Sequence, residues 1–312
     1  MPPEPWLPGK ISVELLASYP GHEHPVYALA SKNNDIFFSG DASGLIVQWH
    51  RNFLVNPFAV CRAPSPVYCL QYVVKYNILI AGLKDGGVLF IDSEENKIIK
   101  KVAVHSGPVF DIKEIDNEIV LMVSGDGALS FWSLPEIVCE LKAEIGTYPL
   151  RSVAVSDDNR WVACGGAEGF LNVYEISGLK KVAELKGHLS TVFSLCFNPY
   201  SNTLWSGGRD AYLRIWDCSS GFIPVNEIPA HLFTLNDLAL ANGNALVASA
   251  SRDKSIRIWS AQSSDLLKVI AVPKVPAHTA SVNKILWSAN GLSLISCGDD
   301  RKILEWVLKP IA

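Results

Sequence analysis

A chain of 312 residues with 49% apolar residues and a formal charge of −4 can bury a large core, and its mild acidity argues against wrapping nucleic acid or lying on a membrane surface. No run of eighteen or more apolar residues appears, which excludes a membrane-spanning helix. The seven cysteines form no Cys-x-x-Cys pair and no Cys/His cluster, so no metal site or disulfide framework is expected. Cys69, Cys164 and Cys196 fall in strand-like segments as free apolar fillers, which points to a reducing, cytoplasmic compartment.

Residues 1–9 hold four prolines in their first eight positions and read as a stiff, extended leader without the basic-then-apolar order of a secretory signal. Residues 11–17 (ISVELLA) read as a strand. A repeating unit follows, clearest at residues 187–217 (GHLSTVFSLCFNPYSNTLWSGGRDAYLRIWD). Three short strands are expected there: one through Val192, Leu195 and Phe197, one from Leu204 to Ser206, one from Leu213 to Trp216. Asn198-Pro199 and residues 208–210 supply turn chemistry between them. In each unit but the last, the segment after the Trp position supplies a fourth strand, as residues 181–185 do after Tyr174. The connection between the sixth and seventh units is longer and carries Pro273 and Pro276, a loop composition.

Aligned on Trp216, the units place Trp49, Ile91, Trp132, Tyr174, Trp216, Trp259 and Trp306 at spacings of 42, 41, 42, 42, 43 and 47 residues. Six residues upstream stand Ser43, Asp85, Asp126, Glu168, Asp210, Asp253 and Asp300. The position of His188 is held by His22, Ala63, His105, Gly146, His188, His231 and His278. An apolar strand-starter follows four residues later, from Val26 to Val282. A period near 42 with several offsets in register resembles the WD-repeat (WD-40 type) family, over about residues 10–308.

The resemblance implies an all-β, seven-bladed β-propeller as one domain, 10–308, with a short tail at 309–312. The last unit lacks a fourth strand and the first is preceded by an extra one, so residues 11–17 are expected to complete the final blade and close the ring. The resemblance also implies a buried hydrogen-bond chain through His, Ser, Asp and Trp. Full sets stand in the last three units: His188/Ser206/Asp210/Trp216, His231/Ser249/Asp253/Trp259 and His278/Ser296/Asp300/Trp306. Units two and four lack the histidine, unit one has Ser for Asp and unit four has Glu. The second and fourth blades are therefore expected to rest on apolar packing and to open more easily.

The recurring Ser, His and Asp invite comparison with a hydrolase triad. A triad is built once, with an exposed nucleophile, whereas this set recurs and is tied each time to a Trp. Isolated His24 and His50 read as surface residues. The Gly-Gly pairs near Gly86 and Gly165 read as blade turns, because no helix follows to make a phosphate loop. Asp157-Asp158 and Asp299-Asp300 read as turn residues. No catalytic residue, cofactor or metal is expected.

The family binds partners through residues beside the strand-starter and before the turn acid. Transferred by position, these include Tyr27, Tyr68, Phe110, Arg151 and Phe193 after the starter, and Lys84, Arg209 and Arg252 before the acid. Pro25, Pro66, Pro108 and Pro149 precede the starter in the first four units and would stiffen the same rim. The reading is a non-catalytic scaffold that binds a protein or peptide, acidic or aromatic in character, on one face of the ring. It would act as a monomer or as a subunit of a hetero-complex, without membrane contact. A nucleic-acid adaptor using the same aromatic and basic residues is the alternative, weakened by the acidic net charge. An enzyme working in the central channel comes third, since the starter-adjacent positions offer mainly aromatics and amides.

Overall fold

The computed structural model describes residues 11–51, 55–241, 243, 246–288 and 291–311; the leader expected at residues 1–9 lies outside them. Seven four-stranded antiparallel sheets are arranged as the blades of a propeller. Blades 1 to 6 each use four consecutive strands, running from an inner strand at the central channel to an outer strand at the circumference. In blade 5 these are Val192–Asn198, Thr203–Gly208, Tyr212–Asp217 and Ile223–Pro229. Blade 7 takes Val282–Trp287, Ser293–Gly298 and Ile303–Pro310 from the end of the chain and Ile11–Tyr19 from its beginning.

Closure is by strand pairing: Ile11 stands opposite Pro310 and Tyr19 opposite Ile303. At its centre is Glu305, 2% exposed. It accepts hydrogen bonds from the Tyr19 hydroxyl at 2.6 Å and from Ser293 Oγ at 2.8 Å, and Arg51 Nη1 of blade 1 approaches to 3.4 Å. One buried carboxylate thus joins the first strand, the last strand and the neighbouring blade.

The core lies between blades, as seven apolar layers in place of one interior. Phe90, Trp132 and Ile137 fill the layer between blades 2 and 3. Leu204, Trp216 and Phe222 fill that between blades 4 and 5, and Phe37, Trp49 and Ile295 that between blades 7 and 1. Buried on both faces, the middle strands read as continuous apolar or small runs, such as Ile78–Leu83 and Leu246–Ser251. Near the channel the blades approach too closely for side chains on both partners. A Cβ on Gly40 would meet Val67 at 2.5 Å, and one on Gly207 would meet Leu235 at 2.5 Å. Each strand-starter therefore seats on the second strand of the preceding blade.

Hydrogen-bond chains tie the outer parts of the blades. In blade 5, Trp216 Nε1 donates to Ser206 Oγ at 2.9 Å, Ser206 lies 2.8 Å from His188 Nε2, and His188 Nδ1 lies 3.0 Å from Asp210. Blade 6 repeats this through Trp259, Ser249, His231 and Asp253. Blade 7 keeps His278 with Ser296 and Asp300, but Trp306 Nε1 turns to the Pro276 carbonyl at 3.4 Å, with its ring edge-on to His278. The long loop from the sixth blade brings that carbonyl within reach.

Two further chains depart from the sequence expectation that complete sets stand only in the last three units. In blade 1, Asp41 takes the acid's place and binds His22 Nδ1 at 2.7 Å, with Ser39 joining His22 and Trp49. Ser43, at the aligned position, donates to Asp41. In blade 3 the aligned serine position is Met122; Ser130, directly across the strand pair, binds both His105 and Trp132. Among the described residues, blades 2 and 4 have no such chain. In blade 4, Ser152 Oγ and Asn172 Oδ1 are buried without a hydrogen-bond partner.

Candidate docking site at the channel mouth

A β-bulge interrupts the inner strand of every blade at one place. The register between first and second strands shifts between Val26 and Ala28, Val67 and Cys69, Val109 and Asp111, and Leu150 and Ser152. It shifts again between Val192 and Ser194, Leu235 and Asp237, and Val282 and Lys284. The skipped residues are Tyr27, Tyr68, Phe110, Arg151, Phe193, Asn236 and Asn283. A bulge leaves its extra residue unpaired and re-aims it. All seven side chains accordingly line one open depression of about 290 Å³ at the channel mouth, each partly exposed.

The aromatic members touch in sequence around the mouth. Tyr27 meets Tyr68 edge-on with centroids 5.7 Å apart, and Tyr68 stacks on Phe110 at 5.4 Å and 9°. The Arg151 guanidinium lies 3.8 Å from the Phe110 centroid and 5.4 Å from that of Phe193. Burial lowers its pKa from the ordinary arginine value, yet arginine stays charged in a protein. Among the described residues no carboxylate pairs with it. A cation held between two rings, with its edge open to solvent, is a ready receptor for an acidic group.

Lys84, Arg209 and Arg252 stand apart from this cluster. They are exposed on the turns between second and third strands, outside the mouth lining. Their backbone N–H groups donate to the carbonyls of Pro66, Thr191 and Thr234, each immediately before a strand-starter. The same bond joins Ala42 to Pro25, Gly125 to Pro108 and Ala167 to Pro149. Proline lacks a donor but its carbonyl is free for this bond, so the four prolines fit the rim without cost.

One step down the channel are groups the sequence reading passed over, because only the strand-starter's immediate neighbours were considered. Asp111, Asp237 and Lys284 occupy the position after the bulge and converge beneath the mouth. Lys284 Nζ lies 2.8 Å from Asp237 Oδ1. Asp237 also accepts from Ser194 Oγ and the Ile285 N–H, and Asp111 accepts from the Val153 N–H at 3.1 Å. Burial works against the Lys284 ammonium, but Asp237 and Asp111 hold its pKa above the ordinary lysine range. These bonds run from blade to blade and occupy the acids with internal partners.

The opposite face carries a groove of about 460 Å³ between blades 3 and 4, lined by Ile119, Phe131, Leu141, Ile176 and Leu179 among others. It is apolar, without the ring-and-cation cluster of the mouth. Gly165, expected in a turn, lies within the strand Trp161–Gly166, while Gly86 occupies a turn at φ +87°.

Comparison with known proteins adds the family. A profile of the WD domain, G-beta repeat, matches residues 13–50, 137–175, 179–217, 222–260 and 270–306. The unmatched stretch, residues 51–136, contains blade 2, where Ile91 replaces the Trp, and the first three strands of blade 3, which keeps Trp132. The WD40 β-propeller domain of Doa1 superposes with a TM-score of 0.82 over 95% of this chain and 96% of that one, at 17% identity. The WD repeat-containing protein 55 homolog of Dictyostelium discoideum is 26% identical over 48% of this chain and 36% of its own length. The THO complex subunit 6 homolog of Danio rerio is 28% identical over 39% of this chain and 40% of its own length. The human pre-mRNA-processing factor 17 is 26% identical over 48% and 28%. These curated relatives are thus matched over well under two thirds of their length. The repeat matches, covering more than half the chain, and the seven closed blades together establish that this protein belongs to the WD-repeat family of β-propellers.

Proposed function

We propose that this propeller is a non-catalytic scaffold that holds a segment of a partner protein at its channel mouth. One observation carries the reading: Arg151 lies between Phe110 and Phe193, half-buried and without a carboxylate partner among the described residues. An acidic side chain or a chain terminus would pair with the guanidinium while an apolar or aromatic neighbour covers the rings. Aromatic and arginine side chains around a depression are the composition of binding hot spots. Names among the relatives agree with assembly work, since one is a THO complex subunit and another, from Aspergillus oryzae, is subunit I of eukaryotic translation initiation factor 3. The seven free cysteines support a reducing, cytoplasmic setting.

The test is affinity capture with the wild type and the Phe110→Ala/Arg151→Ala/Phe193→Ala variant, quantified by mass spectrometry. A set of proteins lost from the variant is expected; identical recovery would refute the reading. For an isolated partner, Arg151→Ala alone is expected to weaken binding by about 2 kcal/mol, roughly thirtyfold. The Tyr68–Phe110 stack could also receive a base. A steep fall in affinity with added salt would select that nucleic-acid reading over the protein one.

A further inference from the structure

On the face that carries the mouth, two rings of loop positions lose their sevenfold regularity in the same sector. The position after the histidine is polar or proline in five blades and leucine in two, Leu189 and Leu232, with Phe233 beside the second. These side chains are 90%, 80% and 60% exposed. The position before the turn acid is arginine in two blades only, at Arg209 and Arg252. Both irregularities fall on blades 5 and 6, which are neighbours in the ring.

Backbone bonds fix their order. The Ala230 and His231 N–H groups both donate to the Ala211 carbonyl, which sets this loop against the Arg209 turn. The Leu232 N–H donates to Asp253 at 3.0 Å, which sets its other side against the Arg252 turn. The Leu189 N–H donates to Asp210 at 3.4 Å, on the far side of the Arg209 turn. Along the rim the sequence of groups is therefore Leu189, Arg209, Leu232 with Phe233, then Arg252. Neither arginine side chain has a hydrogen bond or ion pair among the described residues. The adjacent carboxylates of Asp210 and Asp253 are engaged by His188 and His231.

We propose that this outer sector docks a partner segment in which carboxylates alternate with large apolar side chains, the acids meeting Arg209 and Arg252 and the apolar groups covering Leu189, Leu232 and Phe233. The inference rests on the reading of this face as protein-binding, but it requires none of the mouth residues. Three large apolar side chains stand in water beside two cations free to pair, and a segment of that pattern would cover the first and pair with the second. It also assigns the partner a polarity of sequence that the mouth alone does not.

The test uses the full chain and short labelled peptides by fluorescence anisotropy. One peptide alternates Glu with Leu and Phe, a second replaces Glu by Lys, and a third replaces Leu and Phe by Ser. The first is expected to bind roughly tenfold tighter than the others. Arg209→Glu/Arg252→Glu should invert the preference toward the Lys peptide. Leu189→Ser/Leu232→Ser/Phe233→Ser should weaken the first by roughly tenfold, with unchanged melting because all three residues are exposed. Phe110→Ala/Arg151→Ala should keep the preference. Equal binding of the Glu and Lys peptides, or a preference untouched by charge reversal, overturns the inference. Binding abolished by the mouth variant and indifferent to the sector variants overturns it too, while sustaining the mouth as the docking site.

Discussion

Ser39 and Ser130 reach the same histidine nitrogen from different strands, and the difference shows what a residue pattern carries. Three-dimensional equivalence needs only an oxygen near His Nε2 and the Trp N–H, and the second strand or its cross-strand neighbour can supply it. The fixed offset from Trp found Ser206, Ser249 and Ser296 but could not find Ser130, because cross-strand register is invisible in a linear alignment. Asp41 escaped for a similar reason, lying two residues before the aligned Ser43. Replacing Ser130 or Ser39 by Ala strands a buried Trp N–H and a His nitrogen, and should cost about 1–3 kcal/mol, read as a lower Tm. The same chains set the pH response. Burial lowers the pKa of His105 and His231, and hydrogen bonds and charge from His105 and Lys142 outweigh burial to hold Asp126 down to about 2. Both kinds of group bind more protons when unfolded, so stability rises with pH. Tm should fall as pH drops from about 7 to 5 through the unfolded histidine range, and again between about 4 and 2 as the carboxylates protonate. His231→Asn should melt lower at pH 7 and vary less between about pH 7 and 5; an unchanged slope would contradict the assignment.

The strand is the scale at which the docking residues are chosen. Each inner strand opens with an apolar starter seated on the preceding blade, and the bulge after it turns one residue to the mouth before alternation resumes. The starter and its neighbour could be read from the sequence as family positions. The bulge could not, because one apolar residue followed by a mixed run fits a regular strand equally well. For the same reason Asp111, Asp237 and Lys284 gave no advance sign of converging: the phase of the strand beyond the bulge decides which residues face the channel. Blades 2 and 4, without the buried chains, should show the fastest amide hydrogen exchange in their third and outer strands. Blade 4 should lead, since Ser152 and Asn172 leave unsatisfied atoms in its interior. Exchange slowest in those two blades would overturn this ranking.

At the level of the whole molecule, ring closure was legible because it is an accounting matter: the last unit is one strand short and the chain begins one strand early. What holds the closure was not legible, since Glu305, Tyr19 and Arg51 lie far apart in sequence and follow no repeat offset. Glu305→Ala would remove the carboxylate that accepts from the buried Tyr19 hydroxyl and from Ser293 and that faces half-buried Arg51, and should cost about 3–5 kcal/mol. Deleting residues 1–18 should lower Tm for every blade together, because all seven apolar layers depend on a closed circle. We propose that this circle presents its bulged residues as the surface that receives a partner. A photoreactive phenylalanine analogue placed singly at Tyr68, Phe110 and, on the opposite face, Leu141 tests it most directly. Covalent adducts are expected from the first two positions and not from the third; adducts from Leu141 alone would place the partner on the opposite face and contradict docking at the mouth.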